Sequence, residues 1–206
     1  VHFRLGKEKV KRELAEFGRG LGISRKQSDR GVEAGYAAQG EFRENVLRAG
    51  RQALAVLENT GEPAILLVGR AYNVYDRSVN CDIPRKLRAQ YGVNVLPMEF
   101  LPLEGEDISD VNDNMYWSSG QRILAAGKMA RRSPNLHVIF ITNFKCGPDS
   151  YIKSFLFDAC AKPYLILQFD GHSNDAGFLT RCEAYLDSKG ILRCVQRKAK
   201  AAAATA

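Results

Sequence analysis

Apolar residues in the first part of the chain recur at helical spacing. Within 7–17 they repeat every three or four positions, which predicts a short amphipathic helix. A second pattern of this kind starts at Ser24 and continues to Glu58, and Gln27 lies where a capping box places its second residue. Such a helix would span on the order of 50 Å. We therefore predict a long helical N-terminal segment over residues 1–62.

From residue 63 the pattern changes to short apolar runs separated by helical stretches. Near-continuous apolar runs are typical of strands in a sheet that is covered on both faces. Their alternation with helices predicts an α/β domain over residues 63–187: a Rossmann-like open parallel sheet of about four strands with helices on both faces. The predicted strands are 64–68, 93–96, 136–141 and 164–167.

The net charge of +7 is concentrated outside this predicted domain. Residues 63–187 carry 13 Lys/Arg and 14 Asp/Glu, whereas residues 188–206 carry 5 Lys/Arg and no acidic residue. A nucleic-acid binder is expected to show a basic face on its folded body, so we predict no nucleic-acid partner and interpret 188–206 as a basic low-complexity tail. No apolar run approaches the roughly 20 residues of a membrane span, and we predict no membrane association.

The five cysteines include no Cys-x-x-Cys pair, which disfavours a zinc ribbon or a thioredoxin-type site. Free thiols are typical of a reducing compartment, so we expect a cytoplasmic protein. Cys160 and Cys182 continue apolar helix faces and are predicted to be core residues. The chain begins with Val1 rather than Met, and we interpret it as a piece of a longer protein.

Ligands of open parallel sheets bind outside the carboxyl ends of the strands. Three predicted strand ends are followed by glycines and polar side chains, at 69–73, 142–150 and 170–175. We predict that these loops form a ligand site. Its candidate residues are Gly69, Arg70, Tyr72, Asn73, Asn143, Gly147, Asp149, Ser150 and His172.

Cys146 is the candidate metal ligand of this site. It precedes a predicted helix in which Pro148 takes the first position and Gly147 the cap. The positive end of that helix favours the thiolate, which binds metals and attacks electrophiles. The alternative is a structural thiol. We expect Cys146 to share one pocket with Tyr72, Asn143 and His172.

Four segments carry a resemblance to a known family: GRAYNVYD at 69–76, NMYW at 114–117 with GQRILAA at 120–126, TNFKCGPDS at 142–150, and DGHSNDAG at 170–177. With the long helix from Ser24, the chain resembles 2-hydroxyacyl-CoA dehydratase and CoA-substrate-specific enzyme activase-related proteins over about residues 24–187. The resemblance is to the domain that lacks the ATPase portion.

The resemblance implies a redox setting. Related dehydratases remove water from 2-hydroxyacyl-CoA by a radical route, after an ATP-hydrolysing activase has delivered an electron through iron–sulfur clusters held by cysteines. It therefore implies that Cys146 binds an iron–sulfur cluster. A cubane cluster needs about four ligands. The remaining ligands would come from Cys81, from another domain or from another subunit. The implied partners are other domains of a larger parent chain, or a dehydratase or activase, and the implied ligand is of the acyl-CoA type.

Two other functions remain open at this point. The chain could be a non-catalytic docking or scaffold domain of a larger multidomain protein. It could also be a binder of small anions, which would use Arg70, Asn143 and the helix that follows Pro148. The sequence leaves open whether the protein is an enzyme.

Overall fold

The computed structural model describes residues 1–171 and 174–196. Packing divides the chain into two compact units, Val1–Arg48 and the residues from Ala49 onward. The division falls inside a long helix, whereas the sequence pattern placed a boundary at residue 62. Each unit is described separately below.

The first unit is a pair of helices, α1 (Lys7–Arg19) and the first part of α2 (Arg25–Thr60), preceded by a 3₁₀ turn at Phe3–Leu5. The predicted capping box forms at the start of α2. The backbone N–H of Ser24 donates to Oε1 of Gln27 at 3.0 Å, and the N–H of Gln27 donates to the Ser24 hydroxyl at 3.4 Å. Val10 and Val32 are buried between the helices.

The second unit contains a four-stranded, all-parallel sheet in the order β2–β1–β3–β4. The predicted fold class is therefore confirmed. In chain order the elements are β1 (Ala64–Gly69), α3 (Ala71–Tyr75), α4 (Ile83–Tyr91), β2 (Asn94–Pro97), α5 (Ser118–Arg132), β3 (Leu136–Asn143), α6 (Gly147–Cys160), β4 (Leu165–Phe169) and α7 (Asp175–Ser188).

Both faces of the sheet are covered, as the continuous apolar strands require. All six residues of β1 are buried. Ile123 of α5 and Leu156 of α6 belong to the core on one face, together with the end of α2. Ile83 of α4 and Leu186 of α7 belong to the core on the other face. The helices that follow β1 and β3 therefore lie on opposite faces.

Two local features differ from the sequence prediction. The loop predicted at 69–73 contains α3, which with only five residues is too short to show a helical period. The segment predicted as a tail from residue 188 is helical over 191–196. Ile191 in this helix is buried in the core beside α7, because the short apolar stretch there packs on the sheet instead of remaining in solvent. Residues 197–206 lie outside the described part of the chain.

Candidate functional site

The candidate site lies at the carboxyl ends of β1 and β3, the two central strands. The chain leaves β1 toward β2 on one side and leaves β3 toward β4 on the other. Connections that diverge in this way open a crevice between neighbouring strand ends, where ligands of open α/β sheets bind. Gly69 lets the strands approach here, since a Cβ on this residue would collide with the carbonyl oxygen of Ile141.

A buried ion pair spans this crevice. Arg70, directly after β1, donates from Nε to Oδ1 of Asp149 at 2.9 Å. Asp149 lies in the first turn of α6 and is 1% exposed, and its Oδ2 accepts a 2.5 Å hydrogen bond from the hydroxyl of Thr142. Burial acts to lower the pKa of Arg70, but the hydrogen bond and charge of Asp149 outweigh it and raise that pKa. The guanidinium is therefore held charged in one orientation.

One nitrogen of that guanidinium makes no hydrogen bond to the described residues. Nη2 of Arg70 is buried and has no hydrogen-bond partner among the described residues. Asn73 in α3 is fully buried, and both polar atoms of its amide also lack partners there. A buried donor or acceptor without a partner costs about 1–3 kcal/mol. Such groups are natural contacts for a bound molecule.

A cavity of about 250 Å³ opens beside Arg70. Met98 and Glu99, directly after β2, form part of its wall, and so does Tyr72. The start of α5 and Arg122, one turn further along that helix, form the rest. Nε of Arg122 is buried and unpartnered among the described residues, like Nη2 of Arg70. Two arginines therefore line the same small cavity, and each has one buried nitrogen without a partner.

The N-terminus of α5 adds positive character to this cavity. Ser118 and Ser119 line it and occupy the first turn, which contains no acidic residue. Trp117 at the cap position makes no side-chain hydrogen bond to the helix. The uncapped N–H groups at a helix N-terminus attract negative charge.

Glu99 is the acidic side chain of the cavity. Burial raises its pKa, while a backbone hydrogen bond, the charge of Arg122 and the hydroxyl of Tyr75 act in the opposite direction. Tyr75 donates that hydrogen bond to Oε2 at 3.2 Å. The pKa of Tyr75 is itself raised, first by burial and then by the charge of Glu99. This pair places a proton donor and a carboxylate beside the two arginines.

Cys146 is itself the cap residue of α6, so the cap lies one position earlier than the predicted Gly147. Helix α6 begins at Gly147, so Pro148 takes the second position instead of the first. Proline fits there because the first N–H groups of a helix have no partner within the helix. Lys145, with φ of 59°, makes the turn from β3 into α6. The thiol is half-buried and contributes electrostatically to both Arg70 and Tyr72.

The structure thus brings four of the predicted residues together: Arg70, Tyr72, Cys146 and Asp149. Asn143 ends β3 and accepts the N–H of Cys146 through its backbone carbonyl at 3.2 Å. Gly147 and Ser150 are exposed in the first turn of α6. His172 lies outside the described residues. The assignment of all these residues to ligand binding stays a prediction.

Sequence reasoning missed the contributions of β2 and α5. Three strand-end loops were considered, and the one that follows β2 was not, although Glu99 stands directly after an apolar run. Arg122 carries no local signal, because it is one of several basic residues in an amphipathic helix. The serines that follow Trp117 at the start of α5 are the feature from which this part of the site could have been found.

The described residues do not supply a ligand set for an iron–sulfur cluster. Within 1–171 and 174–196, no three His, Cys, Asp or Glu side chains are grouped so that they could hold a metal ion. Arg70 and Tyr72, on which Cys146 acts electrostatically, are not cluster ligands. The assignment of Cys146 to a cluster therefore stays a prediction, and no chemistry is derived from it.

The fold and the crevice define an open parallel α/β domain with a polar site at its switch point. Residues 1–101 match the model of a family described as CoA enzyme activase uncharacterised domain. Residues 1–101 are therefore similar to a CoA enzyme activase-related domain, which confirms the sequence resemblance at the level of the family. The match includes the long helix and the motif at 69–76, and the other three motifs follow it in the chain. No curated protein and no solved structure matches the chain.

A membrane-spanning helix is absent from the part of the chain that the structure describes, since none of its helices is both long and apolar enough.

Proposed function

We propose that this activase-related domain binds an anionic group, a phosphate or a carboxylate, in the cavity between Arg70 and Arg122. The observation that carries the proposal is that two arginines line one cavity and that each has a buried guanidinium nitrogen without a hydrogen-bond partner among the described residues. Arginine suits such a role because its planar fork matches the geometry of carboxylates and phosphates.

The charges around the cavity support an anionic rather than a cationic ligand. Asp149 accepts a hydrogen bond from Nε of Arg70 and so orients the guanidinium. Nη2 of the same group has no partner among the described residues. Arg122 attracts Glu99 electrostatically but makes no ion pair with it within 4.0 Å. The start of α5 then adds its partial positive charge. One anion in this cavity would lie beside both arginines and the start of α5.

The size of the cavity suits a small group. A volume of about 250 Å³ is below the 300–1,000 Å³ that is typical of a site for a whole drug-sized molecule. The cavity would therefore hold the charged group of a ligand, and the remainder would lie outside it. The acyl-CoA-type ligand that the resemblance implies carries phosphates and belongs to this class. A docking role with other domains or a partner stays a separate prediction.

Calorimetric titration of the whole chain with inorganic phosphate and pyrophosphate, at low ionic strength, tests this proposal. Wild-type protein is expected to bind at least one of them. Arg122→Gln is expected to lose tenfold or more in affinity, about the 1.5–3 kcal/mol of a charged hydrogen bond. Arg131→Gln, on the exposed last turn of the same helix, is the matched control. Equal affinities of Arg122→Gln and wild type, or no binding to either, would overturn the proposal.

A further inference from the structure

The aromatic residues that the second unit exposes are concentrated around the cavity end of the sheet. Of the seven exposed aromatic side chains between Ala49 and Gln196 in the described residues, six follow a strand end or begin a helix there, and Phe157 near the end of α6 is the exception. We call these six the aromatic rim. They are Tyr72, Tyr75, Tyr116, Trp117, Phe144 and Tyr151.

The rim is connected to the cavity through Tyr72 and Trp117. Tyr72 lines the cavity and is 55% exposed. Trp117 caps α5 directly before the two serines of the cavity wall. Its ring centroid lies 6.4 Å from that of Tyr116 and 6.0 Å from that of Tyr151, in edge-on arrangements. A run of aromatic rings therefore extends from the residues directly before α5 across to α6.

The ring system is held in place while much of it stays accessible. The hydroxyl of Tyr151 accepts a 3.1 Å hydrogen bond from the Asn112 amide, and its ring contacts Phe155 at 4.8 Å between centroids. Tyr116 nevertheless exposes 77% of its surface and Trp117 exposes 37%. Positioned and accessible aromatic rings are suited to stacking with a planar ring of a ligand.

We infer that the anion of this site carries a planar heteroaromatic ring, as a nucleoside monophosphate does, and that the ring stacks on Trp117 and Tyr116 while the phosphate lies between Arg70 and Arg122. This inference rests on the proposed anion site. It follows from two features together: a cavity that admits only the charged group, and a rim that offers aromatic faces to the remainder.

The mode of phosphate binding would differ from that of glycine-rich nucleotide sites. The sequence contains neither Gly-x-Gly-x-x-Gly nor a P-loop. Guanidinium groups and the start of α5 would take the place of the backbone cradle that such loops provide. The aromatic rim would supply affinity for the base with little discrimination between bases, because every base offers a π face.

The protein contains a single tryptophan, so its tryptophan fluorescence reports on Trp117 alone. The whole chain is titrated with adenosine monophosphate, ribose 5-phosphate and inorganic phosphate, by fluorescence and by calorimetry. Adenosine monophosphate is expected to quench the fluorescence and to bind about 5- to 100-fold more tightly than ribose 5-phosphate, the range for stacking one base. Trp117→Leu is expected to bring the ratio of the two affinities close to one.

A second variant, Tyr116→Ser, keeps the test decisive if Trp117→Leu is poorly folded, since Tyr116 is the more exposed of the two. Phe157→Leu, which changes an exposed ring outside the rim, is the matched control. If the three probes bind with equal affinity and that affinity still depends on Arg122, the ring inference is overturned while the anion site stands. If no probe binds, both fail.

Discussion

Nε of Arg70 and Oδ1 of Asp149 lie 2.9 Å apart and join the ends of the two central strands across the switch point of the sheet. The two residues are 79 positions apart in sequence, and Asp149 is buried. The pair both closes the crevice at its base and orients the spare nitrogen of Arg70. Structure and proposed function therefore depend on the same contact.

Removal of Asp149 is expected to destabilise the fold strongly. Asp149→Ala leaves Arg70 charged and part-buried without its partner, which typically costs about 3–5 kcal/mol. Urea denaturation of the variant measures the loss in the free energy of unfolding. Asp175→Ala is the matched control, since it breaks a pair with Lys86 that is more exposed than the Arg70–Asp149 pair, and it is expected to cost at most about 1 kcal/mol. Equal losses in the two variants would contradict a structural role for the buried pair.

Two glycines of α2 are expected to respond in opposite directions to the same change. A Cβ at Gly50 would collide with the backbone carbonyl of Phe100, so Gly50→Ala is expected to destabilise by about 1–3 kcal/mol. A Cβ at Gly35 meets nothing within 4 Å, and Gly35→Ala is expected to stabilise the helix by up to about 1 kcal/mol. Denaturation followed by circular dichroism compares them. Destabilisation by Gly35→Ala would show that helix propensity does not determine the effect of a substitution at this position.

Strands and helices of the second unit could be predicted from the sequence because they are encoded by local apolar patterns. Ala64–Gly69 and Leu136–Asn143 are short, apolar and bounded by polar loops, so their type and approximate limits follow directly. The order of the strands could not be read in this way, because pairing between β1 and β3 joins residues some seventy positions apart. The sequence therefore predicts the class of the fold but not the order of the strands in the sheet.

The candidate site was predictable only in part, for a related reason. The strand-end rule located Arg70 and Asp149, since each follows a recognisable apolar run. The ion pair between them joins residues 79 positions apart, so the local sequence does not predict it. Glu99 follows the apolar run of β2, so the same rule could have located it, whereas Arg122 belongs to the site through the packing of α5 over the sheet, which no local pattern reveals.

Stability is expected to decrease as the pH falls from about 6.5 toward 5, and His137 is the cause. Burial, assisted by the charges of Lys162 and Lys189, lowers the pKa of this residue from 6.5 to about 4. Because the unfolded chain then binds the proton more readily than the folded one, the contribution is complete above pH 6.5 and is lost as the pH falls toward 4. Urea midpoints at several pH values measure the slope.

His137→Gln is expected to flatten this slope between pH 6.5 and 5, a range that lies above the titration of ordinary carboxyl groups. His2→Gln, which removes an exposed histidine paired with Glu13, is the comparison that shows whether the slope is specific to His137. A slope that survives in His137→Gln would assign the pH dependence to another group.

The five cysteines are expected to differ widely in their rates of alkylation, and Cys146 is expected to be faster than Cys160 or Cys182. The latter two are fully buried, and burial raises the pKa of each thiol to about 12, so neither offers an accessible thiolate near neutral pH. Cys146 is part-exposed at the start of α6, so an alkylating reagent can reach it. Cys81 and Cys194 are also part-exposed, so comparison with them separates the effect of access from that of the helix field.

Iodoacetamide labelling at pH 7 with site-resolved mass spectrometry gives all five rates. If Cys146 labels no faster than Cys182, the loop thiol is closed to solvent in solution; if it labels no faster than Cys81, access alone sets its rate, and the helix N-terminus contributes nothing to its reactivity.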